Sequence, residues 1–540
     1  MNKFKMGLLL FIPLLFSCKK VLDTSPYFSI TDASAFSTAA KCALVLNGVY
    51  DAAQTDYYVT GTTEGRGYPF GAASIYQADA RGEDLVNIQA FLQVTYQATY
   101  NATNANSAAM WKGLYELINK SNIAIDGFRK ASGGVIPTAT ATQYEGECRL
   151  LRAMAHHEAL LHWSKPYLDG NGSAMGVPWR DFPINSTAAV TAILNTPRPT
   201  VASVYYNILT DLDYAEANLS PLLSTTTIPG STIAGVNTFR ATKAAAIALK
   251  MRVKMHMGDW AGVIAEGNKL VPAFVPPAVP VSPIGGWTLT ASPDGPFLWP
   301  AGNSSVESIF SIKNDPIDAP STNGGLSRLL GSSTLGGRGL VSISPIIYNN
   351  PGWLCDDKRR TLLTVAGTNS ALTQSIFTTK YRDYPTYSDW APMVRYAEVL
   401  LTLAEAEARN NAGVSTRAVD LLNTVRNRSL NSPATQAYTV ASFANQVALV
   451  KAILLERRIE FLAEGRRWGD ISRTVLEANY TTGGIPAKAV NGTAGLATFV
   501  CGAGYAPGQS AIAYSNPLFL WPIPITEIQT NPIIAQNPGY

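Results

Sequence analysis

Three sets of side chains in this 540-residue chain have types and spacings that do chemistry in other proteins. Glu456, Glu460 and Glu464 recur every four residues, so on a helix they share one face, with Arg457, Arg458 and Arg467 beside them. Paired carboxylates can act as acid and base in glycoside hydrolysis, but they must flank the scissile bond, which side chains on one face of one helix cannot do. A ladder of ion pairs tying the helix to its neighbours is the better reading. His157-Glu158-x-x-x-His162 invites comparison with a zinc protease, yet it has one residue too many between Glu and the second His. At that spacing the imidazoles point about 140° apart around a helix and do not converge on one ion. Besides Cys18, the cysteines Cys42, Cys148, Cys355 and Cys501 are scattered without metal-ligand spacing. They read as ordinary buried thiols, with a single disulfide left open. No nucleophile elbow or phosphate-binding loop is present, so neither a catalytic residue nor a metal or cofactor is expected.

What remains is the chemistry of recognition. Residues 55–100 and 273–392 are rich in Gly, Pro and polar residues and carry many aromatics, Tyr57, Trp299 and Tyr381 among them. About half of these are expected to pack as satellite core and the rest to offer flat stacking surfaces for a sugar or peptide. A sugar ring has apolar C–H faces that stack on Trp and Tyr, and hydroxyls that need directional partners. The ligand-binding candidates are therefore Tyr68, Tyr76, Arg81, Trp287, Trp353, Tyr384 and Tyr387, at a meeting of the two loops away from the helices. A loop as long as 273–392 is usually functional.

Helices must position these loops. Tyr396, Leu400, Leu403 and Ala404, then Ala418, Leu421, Leu422 and Val425, recur at helical spacing. Between them Gly413 suits a left-handed C-terminal position and Ser415 an N-cap, which predicts a helical hairpin. Similar pairs near 33–130, 141–218 and 238–272 give an all-α fold: four tetratricopeptide-like helix pairs in a right-handed scaffold, with long irregular loop insertions. A further irregular stretch covers 472–520. With 46% hydrophobic residues the chain can bury a large core, and a net charge of +4 without basic runs gives no case for nucleic acid.

The N-terminus carries Lys3 and Lys5, an apolar run from Leu8 to Phe16, then Ser17-Cys18. The run is too short to span a bilayer and reads as a secretory signal over 1–17. The cysteine behind it looks like a bacterial lipobox, so the mature chain is expected to begin at a lipidated Cys18, its only membrane anchor.

The run Glu456-Arg457-Arg458-x-Glu460-x-x-x-Glu464-Gly465-x-Arg467-Trp468-x-Asp470 resembles the signature of the SusD/RagB family of Bacteroidetes outer-membrane nutrient-binding lipoproteins. The C-terminus resembles it too, with Pro522-Ile523-Pro524-x-x-Glu527-Ile528, Asn531-Pro532 and Gln536-Asn537-Pro538-Gly539-Tyr540. Gly469 departs from the family, which usually has an aromatic there. The resemblance implies a single domain over 18–540, with the signature helix and C-terminal segment at 445–540. It also implies a non-catalytic cell-surface receptor that binds an oligosaccharide, less often a peptide, and delivers it to a SusC-like TonB-dependent transporter. A surface glycan hydrolase is the alternative.

Overall fold

The computed structural model describes residues 32–54, 58–59, 62–63, 67–221, 238–298, 305–320, 323–492 and 494–540. Cys18 and the signal segment lie outside these residues, as do Tyr57 and Trp299.

In chain order the main elements are α1 (Ala39–Gln54), α2 (Ala72–Ala80), β1 (Leu85–Asn87), α3 (Ala105–Ala131), α4 (Thr138–Trp163), α5 (Val201–Asn218), α6 (Lys243–Met257) and α7 (Trp260–Leu270). Then come β2 (Ser308–Ile312), β3 (Val341–Ile343), β4 (Thr364–Thr368), β5 (Gln374–Thr378) and β6 (Ala391–Arg395). The chain closes with α8 (Tyr396–Arg409), α9 (Thr416–Arg426), α10 (Gln446–Glu460) and α11 (Arg467–Thr474), followed by a largely irregular C-terminal segment.

The fold is mostly helical, and its helices pack in the expected pairs: α1 on α3, α4 on α5, α6 on α7 and α8 on α9. Side-chain caps start them. Asn104, Thr200, Thr242, Asp259 and Ser415 each accept a backbone N–H of the first turn, an interaction typically contributing about 1 kcal/mol. Between α6 and α7 a left-handed Gly258 ends one helix and Asp259 begins the next, so the chain reverses within two residues. The α8–α9 turn differs from expectation. Ser415 is the N-cap, but Gly413 is not left-handed, because α8 already ends at Asn410 and leaves a longer connection in which no residue is forced across φ = 0. Ala404, Ala408 and Ala418 are fully buried, which lets the two backbones approach closely.

Both expected loops contain regular structure. The nine residues of α2 are all buried, packed among α11, β1 and a short helix at Leu326–Leu330. Within 273–392, β2 pairs antiparallel with β6, β3 with β1, and β4 with β5 as a hairpin. β6 runs straight into α8, so the insertion is tied to the last helix pair. One hydrophobic core runs from Cys42 to Ile534.

The single disulfide that the sequence left open is present, so two of the four cysteines are not ordinary thiols. Cys355 and Cys501 form a disulfide with Cα atoms 5.7 Å apart, and among the described residues Cys42 and Cys148 are free and buried. At a sequence separation of 146, the two cysteines carry no spacing signal. They are brought together because Tyr348 packs edge-on against both Trp353 and Phe499.

Candidate functional site

The signature residues form a buried frame of ion pairs. α10 stops at Glu460, and Ala463 and Gly465 are left-handed, so Glu464 reaches the frame from the turn after the helix and not, as expected, from its face. A Cβ on Gly465 would lie 3.1 Å from the Ile75 backbone, so this turn needs glycine for both φ and space. Arg395 donates to Glu460 at 3.1 Å and to Glu464 at 2.8 Å, and Arg359 to Asp357, Glu456 and Glu460 at 2.7–3.1 Å. Lys380 reaches Glu464 at 2.6 Å. Arg457 meets Asp470 at 3.0 Å, Arg467 meets Glu83 at 2.7 Å, and Arg458 meets both Glu83 and Asp84. Burial alone would raise the Glu460 carboxyl; Arg428, Arg395 and Arg359 outweigh it and hold the group at about 2. Carboxylates tied this way are committed to cations and have no free oxygen edge for a substrate.

The histidines point to different neighbours. His162 stacks on Trp521 at 4.5 Å and meets Glu158, whereas His157 faces His256 at 5.0 Å. Burial holds His157 down at about 4, so its ring is neutral. The adjoining cavity, lined by His157, Glu158, Arg252, His256 and Glu398, measures about 30 Å³, room for a water but not for a ring.

Of the seven ligand candidates, five are corrected by burial. Tyr68, Tyr76, Arg81, Trp287 and Trp353 are 0–1% exposed and have no face to offer a ligand. Tyr68 accepts a hydrogen bond from Gln77, Arg81 lies 3.4 Å from the Trp468 ring centre, and Trp353 is covered by Arg360. Large aromatics gain more by joining the core than a Gly- and Pro-rich sequence context suggests.

Tyr384 and Tyr387 are different: both are half-buried, on one tight turn. The Asp383 carboxylate organises that turn, accepting from the backbone N–H of Thr386 and Ser388 and from both hydroxyls. Burial raises this carboxyl, but these hydrogen bonds more than offset it and leave it below its ordinary value. Asp389 in turn accepts from the N–H of Arg382 and Asp383. Tyr387 is left-handed at φ 59°, an uncommon conformation for a non-glycine residue and one met at ligand-contact turns. Glycines make room for both rings: a Cβ on Gly325 would strike Tyr387 at 2.6 Å, and one on Gly331 would strike Tyr384 at 2.6 Å. The turn hangs from the ion-pair frame, since Lys380 is bound to Glu464 and the Tyr381 hydroxyl donates to the Ala463 carbonyl at 3.0 Å.

Sequence reasoning missed the residues around this turn. Arg328 lies 4.9 Å from the Tyr387 ring centre and donates to the Gly336 carbonyl at 3.0 Å. Arg338 donates through its backbone N–H to the Arg328 carbonyl at 2.8 Å and through its side chain to Asn323. Exposed Ser333, Thr334 and Leu335 lie beside them, and Leu372 stands 84% exposed at the tip of the β4–β5 hairpin. One signal was available: no Asp or Glu stands between Asp318 and Asp356, while Arg328 and Arg338 do. A cleft of about 190 Å³ among α3, α4 and α5 offers a contrast, because its Arg129, Arg149 and Arg152 are all neutralised by Glu145 and Asp211.

Helix pairs carrying long insertions, with the half-exposed rings on an insertion, define a mostly helical scaffold protein with elaborated loops. Two family profiles match the chain: one described as the SusD family over residues 371–540, the other as "Starch-binding associating with outer membrane" over residues 20–255. The chain belongs to the SusD/RagB family. SusD-like protein P38 of Formosa agariphila is 24% identical over 517 residues, covering 86% of this chain and 90% of the relative. A SusD superfamily crystal structure from Bacteroides fragilis superposes with a TM-score of 0.70 at 27% identity, covering 93% of this chain and 99% of that one. Surface glycan-binding protein A from Bacteroides uniformis shares the fold with a TM-score of 0.64 at 20% identity, covering 93% and 99%.

Proposed function

We propose that this chain is a non-catalytic, outer-membrane-associated receptor that binds a carbohydrate on the surface formed by Tyr384 and Tyr387. On this reading it passes the bound oligosaccharide to a SusC-like TonB-dependent transporter. Residues 18–540 act as one SusD-like domain, held at the cell surface only by lipid on Cys18.

The observation that carries the reading is exposure: among the sequence candidates, only these two tyrosines are partly exposed, on a turn fixed by Asp383 and cradled by glycines. A rigid, half-exposed ring loses little freedom on stacking against a sugar face. Asn323, Ser333 and Thr334 lie close by with groups that suit hydroxyls. The family description, with its starch binding and outer membrane, points the same way.

Affinity electrophoresis against a panel of polysaccharides tests the reading. Tyr384→Ala and Tyr387→Ala should each weaken binding by roughly 1–3 kcal/mol, by analogy with bases stacked on aromatic platforms, while the melting temperature stays within about 2 °C. Full retention by both variants would place the site elsewhere. Cys18→Ala should release the protein from membranes, and a transporter of the SusC type should co-purify with the lipidated form but not with a protein from which it has been stripped by competition.

A further inference from the structure

We propose that the carbohydrate taken at the Tyr384–Tyr387 surface is an acidic one, whose carboxylate or sulfate group is received by Arg328 and Arg338. The proposal rests on the carbohydrate reading above and adds the charge class of the ligand.

It stands on a comparison of all the arginines among the described residues. Nearly all are matched to a carboxylate. Arg81, Arg180, Arg198 and Arg360 are not, but each is buried and donates to backbone carbonyls, as Arg198 does to Gly176 at 2.6 Å and Arg360 to Leu354 at 2.8 Å. Arg328 and Arg338 alone are half-exposed with no carboxylate partner among the described residues. Each spends one donor on a neutral oxygen, and Nε of Arg328 is buried without a partner. A guanidinium carries five N–H donors in a fork that matches a carboxylate or sulfate edge, so most of that capacity is unused here.

The two cations are also held near each other against their mutual repulsion. Arg338 sits below its ordinary pKa, first through partial burial and then through the positive charge of Arg328. The loop between them is closed on itself: Gly337 N–H donates to Ser332 and Gly339 N–H to Gly331, which fixes the two side chains at its two ends. No acid stands in the sequence from residue 319 to 355 to neutralise them. Fixed like charges without a counter-charge make an anion site whose occupant relieves the repulsion. The neighbouring Tyr387 ring, already under the Arg328 guanidinium, supplies the apolar face that a sugar carrying that anion would need.

The test uses the full-length protein in detergent micelles. Its binding is measured to polygalacturonate and alginate, to a sulfated galactan, and to the neutral polymers amylopectin and xyloglucan. At least one acidic polymer should bind about tenfold or more tighter than either neutral one, with affinity falling as salt rises toward physiological strength. The preference between the uronates and the sulfated polymer identifies the anion. Arg338→Gln and Arg328→Gln should each weaken acidic binding by about tenfold, and Arg338→Lys should restore part of it. The Arg338 guanidinium donates only to the Asn323 side chain, so its variant tests the idea even where Arg328→Gln disturbs the loop. Binding of a neutral polymer that depends on Tyr387 but is indifferent to both Gln variants overturns the proposal and leaves the carbohydrate reading standing. Binding of none of these polymers overturns both.

Discussion

The ion-pair frame around α10 and the turn at Tyr384 use the same residue types to opposite ends. In the frame every arginine is met by carboxylates and the central ones are desolvated: Arg395 and Arg359 are 1–2% exposed, each touching three acids. Around the turn, Arg328 and Arg338 are half-exposed and meet none among the described residues. Buried charges whose partners are complete can only be disrupted by change, since removing one strands the others. Charges left incomplete at the surface have capacity to spare for something that arrives from outside. One region fixes geometry, and the other is free to bind.

Three perturbations sharpen this contrast, from strongest to weakest. Glu460→Ala leaves Arg395, Arg359 and Arg428 short of an anion in the interior, and should cost about 3–5 kcal/mol in a denaturant titration. A loss under 1 kcal/mol would mean that the frame is not a unit. Acidification should act more gradually. Glu83, Glu398 and Glu460 titrate at about 2 in the folded protein, against 4.5 for a free glutamate. Their contribution is therefore complete above about pH 4.5 and lost as pH falls toward 2, so the melting temperature should drop steadily across that window. Asp79 works in the opposite sense. Burial raises it to about 7, so its contribution is complete below 3.8 and fades as pH rises through 7. A melting temperature equal at pH 3 and pH 6 would contradict the low carboxylate values. The smallest effect belongs to Arg417→Ala. Its pair with Glu407, 2.6 Å long, is about one-third exposed on the arginine side, so stability should move by no more than about 0.5 kcal/mol.

The helical scaffold was legible because apolar spacing and caps are local signals: Leu400, Leu403, Leu421 and Leu422 lie in the core, and Ser415 caps α9. The loops were not, because burial there depends on partners far away in sequence. Trp353 and Tyr76 look like exposed loop aromatics until the chain folds, with Tyr76 on the wholly buried α2 and Trp353 beneath Arg360. The same holds for Cys355 and Cys501. Tyr384 and Tyr387 stood out with the others for their polar neighbours, and what separates them from the five buried residues is a turn that only the folded chain displays. Arg328 and Arg338 could have been found by asking where acids are missing instead of where aromatics are plentiful.

The bond between Cys355 and Cys501 encloses β4 to β6, the tyrosine turn and helices α8 to α11 within one covalent loop. A protease that cuts the chain inside that loop, for instance at the protruding Leu372, produces two polypeptides that still travel as one molecule. Such a nicked protein should migrate as a single species without reductant and as two with it. The pieces stay registered by the core and by the ion pairs that cross between them, so a clipped protein would keep its tyrosine turn in place long after its backbone had ceased to be continuous.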